Sequence, residues 1–146
     1  MFDMNNFLLL LKMGYSDGVC KICNVMNEDI VHLFDCYPVR TVWDWIEIKL
    51  QSINIQYGNL SIFSKIVGIL DDKPWTEYVN MILSHTRWLV WKSRCKNRYE
   101  DPEDKHTNLL NYVKSGLKNH IRILLKVNKG KRIDALNLIY SAFEFD

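Results

Sequence analysis

A chain of 146 residues that is 48% hydrophobic, with 12% aromatic side chains, can fill one folded core, which excludes an intrinsically disordered polypeptide. The net charge of +2 hides an asymmetry: residues 1–86 carry net −4, residues 87–133 carry 13 basic against 4 acidic side chains, and residues 134–146 carry net −3. No run approaches the roughly 18 uninterrupted apolar residues of a membrane span.

Helical periodicity dominates the chain. Residues 2–13 can form a short opening helix, which Gly14 and Ser16-Asp17-Gly18 interrupt. After a cysteine-rich segment, Asn27 or Asp29 can cap a helix carrying Ile30, Val31, Leu33 and Phe34. Pro38 marks a joint: it either opens a new helix running to about Leu50 or kinks a continuous one. Val42, Trp45, Ile46 and Lys49 form the stripe of that segment. Ser52 to Asn59 reads as a loop or a short strand, and Ser61 to Leu70 as another helix.

Asp71-Asp72-Lys73-Pro74 has the chemistry of a helix start, an acidic cap with Pro just inside. The longest helix is expected from Pro74 to Tyr99, with Val79, Ile82, Leu83, Thr86, Leu89 and Val90 at three- and four-residue steps. Asp101-Pro102 ends it. Glu103 to Lys126 follows, with Leu109, Leu110, Val113, Leu117, Ile121, Leu124 and Leu125 on one side. Gly130 breaks that helix, and Asp134 caps a last one through Tyr140. The expected fold is all-α, one domain over residues 1–146, with a zinc knuckle at 18–37 and a basic helical region at 87–133.

The motif that carries chemistry is C-x2-C-x8-H-x3-C: Cys20, Cys23, His32 and Cys36. A two-residue gap lets a tight turn aim two thiolates at one point. A three-residue gap on a helix sets His32 and Cys36 one turn apart on one face. Three cysteines and a histidine offer the four tetrahedral ligands that structural Zn2+ takes. The competing readings are buried core thiols, a disulfide, and a Cys20–Cys23 redox pair. Phe7 to Leu11 lacks the cleavage pattern of a signal peptide, which argues against the disulfide, and no βαβ pattern supports the redox pair. Those features also make an intracellular protein the expectation, whether nuclear or cytoplasmic. The sequon Asn59-Leu60-Ser61 then has no meaning.

Arg87, Lys92, Arg94, Lys96 and Arg98 interleave with Trp88, Trp91 and Tyr99. Lys114, Lys118, Arg122 and Lys126 recur every four residues, followed by Lys129, Lys131 and Arg132. Cations neutralise phosphates and aromatic rings stack on bases, so these nine positions from Arg87 to Lys126 are the candidate contacts to RNA or DNA. A solvated helix face has the same pattern, and a basic amphipathic helix can also lie on an anionic membrane. Trp88 and Trp91 read as core. His85, His106, His120 and Cys95 have no partners at ligand spacing. Asp71-Asp72 follows apolar residues as polymerase aspartates do, but Lys73-Pro74-Trp75 makes it a helix cap. No phosphate loop, nucleophile elbow or metalloprotease motif occurs, so no catalytic residue and no small-molecule substrate are assigned.

The stretch Cys20-Lys21-Ile22-Cys23, then Glu28 to Cys36 with its His32-Leu33-Phe34 core, Pro38 and Trp43, resembles the zinc-binding segment near the C-terminus of non-LTR (LINE-type) retrotransposon reverse transcriptases. Arg87-Trp88-Leu89-Val90-Trp91-Lys92-Ser93-Arg94 is similar to the Trp-Lys-x-Arg helix that follows it there. The two matches span about residues 20–100. The resemblance implies Cys20, Cys23, His32 and Cys36 as zinc ligands and contact with template RNA or target DNA. It transfers no catalytic residue. It also implies a detached, retrotransposon-derived tail. The expected function is therefore a non-catalytic, zinc-stabilised nucleic-acid-binding module. The other reading is a protein-interaction scaffold in which zinc serves folding alone.

Overall fold

In the computed structural model the periodic segments form six helices among the described residues: α1 (Ile30–Asp35), α2 (Tyr37–Ser52), α3 (Ile62–Val67), α4 (Thr76–Asn97), α5 (Pro102–Val127) and α6 (Lys131–Glu144). The structure describes residues 19–20, 23, 29–55, 60–97 and 102–144, with main chain only at 96–97, 102–108 and 144. There is no strand among these residues, and the fold is all-α. The expected opening helix over 2–13 lies outside the described residues.

The helix boundaries have local causes. Asp29 caps α1 by accepting a hydrogen bond from the His32 amide at 2.7 Å. Cys36 closes α1 and opens α2 with an extended ψ of 145°, and Pro38 follows in the first turn of α2. Of the two alternatives for Pro38, the structure has the new helix. Cys36 is the residue at that break, yet as the cap of α1 it still follows His32 by one turn, and their donor atoms lie within 4.8 Å of each other, as the three-residue gap predicts.

Helix α3 is capped by Ser61, whose hydroxyl accepts from the Ser64 amide at 3.1 Å. It stops at Val67, short of the expected Leu70, because Gly68 turns the chain at φ 103°. The Asn80 side chain then holds Ile69 by both main-chain groups, accepting from its N–H at 2.7 Å and donating to its carbonyl at 2.8 Å. Helix α4 starts two residues later than Pro74. Asp71 accepts from the Thr76 hydroxyl and from the Lys73 amide, and this turn delays the first helical residue to Thr76. Pro102 begins α5, a position where its missing N–H leaves no helical bond unmade. Helix α6 runs from Lys131 past the expected Tyr140 to Glu144.

Helix α5 is the hub, packed against α4, α6 and α2. Its Leu109, Val113, Leu117 and Ile121 are buried. The expected stripe of α4 (Val79, Ile82, Leu83, Thr86, Leu89, Val90) is buried throughout. Gly116 permits the α4–α5 approach, since a Cβ there would sit 2.6 Å from Leu89 Cδ2. Helix α2 contributes Val42, Trp43, Trp45 and Ile46, and Trp45 meets Phe143 of α6 edge-on at 4.9 Å. Helix α1 packs on α2 and α3, so the cysteine segment sits at that end of the bundle. No helix among the described residues is long and apolar enough to cross a membrane.

Candidate metal centre and cationic groove

Sequence distance and helix breaks converge on one point. Cys20 lies before α1, His32 is held in its first turn by the Asp29 cap, and Cys36 ends it. The Sγ atoms of Cys20 and Cys36 are 3.9 Å apart, and Cys23 Sγ is 3.4 Å from His32 Nε2. All four donor atoms lie within 4.8 Å of one another, close enough to hold one metal ion. Cys20 and Cys36 are buried and join the hydrophobic core, while Cys23 and His32 are half-buried. None of the described cysteines is in a disulfide.

The hydrogen bond to Cys20, burial, and the negative potential of Cys20 and Cys23 push the Cys36 thiol far above its ordinary range. A bound divalent cation reverses that balance, because coordination deprotonates a thiol outright.

The centre is braced from α2. Buried Trp43 donates its indole N–H to the Phe34 carbonyl at 2.8 Å. On the outside, Arg40 donates to both the carbonyl and the carboxylate of Asp35.

The nine expected cations separate into different environments. Arg94 is 2% exposed, with its guanidinium 5.4 Å from the Trp91 ring centroid, so it is an interior group and does not reach a surface ligand. Arg87 is half-buried and donates to the Lys65 carbonyl at 3.2 Å, tying α4 to the end of α3, and burial lowers its pKa. Lys114 lies over the Trp45 ring at 5.4 Å. Lys126 is exposed. The Lys96 side chain and Arg98 lie outside the described residues. Lys92, Lys118 and Arg122 come together along a groove of about 580 Å³ between α4 and α5, whose walls include Trp88 and Tyr112. Of the two tryptophans read as core, Trp91 is buried and Trp88 is half-exposed on this groove.

No family model, curated protein or solved structure matches the chain.

His85 and His120, which have no partners at ligand spacing in the sequence, meet in the fold. Their rings stack at 3.9 Å with 7° between planes, joining α4 to α5 beneath the groove. Burial, followed by the charges of His120 and Lys92, pulls His85 down to about 4, while a main-chain hydrogen bond with Gly116 works the other way. Burial lowers His120 as well. The only signal available in advance was that both residues lie next to buried positions of their helices.

Proposed function

We propose that this chain is a non-catalytic nucleic-acid-binding module whose N-terminal knuckle is held by one structural zinc ion. Support for zinc lies in the donor spacing. Tetrahedral bonds of about 2.3 Å to sulfur place two sulfurs roughly 3.8 Å apart, and a sulfur and an imidazole nitrogen roughly 3.5 Å apart. The separations of 3.9 Å for Cys20–Cys36 and 3.4 Å for Cys23–His32 fit that figure. Zinc bound by Cys20, Cys23, His32 and Cys36 would supply folding energy and leave no open coordination position for chemistry.

The observation that carries nucleic-acid binding is the groove lined by Lys92, Lys118 and Arg122, with no acidic residue in its lining among the described residues. A cationic groove with aromatic walls suits a phosphate polymer. The resemblance of Cys20–Trp43 and Arg87–Arg94 to the tail of retrotransposon reverse transcriptases points the same way.

The test is titration of the zinc-loaded chain with RNA and DNA at two salt concentrations. Three phosphate contacts make duplex affinity fall roughly 40-fold between 50 and 200 mM salt. An affinity that does not respond to salt would rule the reading out. A second reading, a protein-interaction scaffold, is favoured by exposed Phe63, Val67 and Leu70 on and just after α3. A dimer or a protein complex that forms through α3, with no affinity for nucleic acid, would establish it instead.

A further inference from the structure

We infer that the groove between α4 and α5 takes an unpaired nucleobase with its flanking phosphates, so that the chain prefers single-stranded RNA or DNA to duplex. This rests on the nucleic-acid reading above and narrows it to one site and one class of strand.

The aromatic residues carry the distinction. Trp43 is fully buried and Trp91 nearly so, each serving the core. Trp88 is left half-exposed on the groove, with Lys92 Nζ 5.6 Å from its ring centroid. Tyr112 lines the groove from α5. A partly exposed indole flanked by cations offers a face on which any base can stack. In a duplex the base faces are covered by their neighbours, and only an unpaired base can present one.

The rest of the groove fits such a ligand. Gly116 lines it without a side chain, where the backbone of α5 approaches Leu89. Asn119 is exposed there and offers both a donor and an acceptor to a base edge. Lys118 and Arg122 stand one turn apart on α5, opposite Lys92 on α4, so cations flank the aromatic ring on both helices. Lys92 is a long, mobile cation that can leave the Trp88 ring for a phosphate. A volume of about 580 Å³ is in the range that small organic ligands occupy, which suits one nucleotide unit and is far smaller than a duplex face.

The experiment compares the affinity of the zinc-loaded chain for a fluorescent 12-mer of single-stranded RNA, DNA of the same sequence, the matching DNA duplex and free uridine monophosphate. Trp88→Ala, Trp88→Phe and the surface variant Arg122→Ala are measured beside the parent. Either single strand should bind more tightly than the duplex. Trp88→Ala should lose about ten-fold or more of single-strand affinity with little change for duplex, and Trp88→Phe should retain most of it. If the Ala variant does not fold, tryptophan quenching by the strand gives the same answer, since the part due to Trp88 must disappear in Trp88→Phe. Duplex binding equal to single-strand binding, or quenching unchanged in Trp88→Phe, overturns the inference and leaves the broader reading standing. Mononucleotide binding as tight as the strand overturns it in favour of a small-molecule site. No binding of any strand at low salt removes both.

Discussion

The indole nitrogen of Trp43 donates to the main-chain oxygen of Phe34, four residues before Pro38. In an unbroken helix that oxygen would accept from residue 38, but proline has no N–H to give. The Trp43 side chain supplies a donor to the end of α1, beside Cys36, and in doing so ties the candidate metal centre to the core. Trp43→Phe keeps most of the buried volume and removes the donor. It should lower unfolding stability by about 1–3 kcal/mol, read as a lower urea midpoint. An unchanged midpoint would mean that this bond does not brace the knuckle.

Gly116 sets how closely α4 and α5 approach. A methyl group there would press on both Cδ atoms of buried Leu89. Overpacking costs about 1–3 kcal/mol, and the better helix propensity of alanine returns about 1. Gly116→Ala should therefore destabilise by on the order of 1 kcal/mol in urea denaturation. Stabilisation instead would show that Leu89 has room to move.

His85 makes stability depend on pH. Its ordinary value of 6.5 falls to about 4 in the fold, so the folded chain favours the neutral ring. The contribution is fully present above pH 6.5 and is lost as pH falls toward 4, where the unfolded chain binds the proton and the folded chain resists it. Because the ring is only partly buried, solvent screening reduces the loss to on the order of 1–2 kcal/mol. A metal held at the cysteine cluster would also be released by acid, so the comparison that isolates His85 is the parent against His85→Gln at pH 7.5 and pH 5. The variant should lose less stability between the two. An equal loss in both proteins would remove His85 from the account.

Two arginines, Arg94 and Arg122, separate stability from binding. Arg122 is exposed on the groove rim, and Arg122→Ala should reduce the slope of log affinity against log salt by about 0.7–0.9 with the urea midpoint unchanged. Arg94 is buried against Trp91, and Arg94→Ala should lower stability by on the order of 1–3 kcal/mol through lost packing and cation–π contact. A slope change at Arg94 with no change in stability would reverse these roles.

The buried stripe of α4 was legible because Val79, Ile82, Leu83, Thr86, Leu89 and Val90 repeat at the helical period, and packing enforces that period. The four-residue metal motif was legible because its spacing is local at each end. Arg94 was misplaced because its charge outweighed its register: one turn beyond Val90, the buried stripe arrives at it. The start of α4 was misjudged by two residues because Asp71 acts through its side chain on Thr76, a bond that composition does not reveal. The break at Cys36 hinged on which alternative Pro38 took. The groove and the His85–His120 stack depend on how α4 and α5 approach across Gly116 and Leu89, and no local pattern encodes that distance.

If Cys20, Cys23, His32 and Cys36 form one tetrahedral metal centre on which the knuckle depends, the reduced, metal-free chain titrated with cobalt(II) should saturate at one equivalent. The intense visible bands of tetrahedral cobalt–thiolate coordination should appear, vanish when zinc displaces cobalt, and be missing in Cys36→Ser. A chain that takes up no stoichiometric cobalt, or that shows the same spectrum in Cys36→Ser, has no such centre.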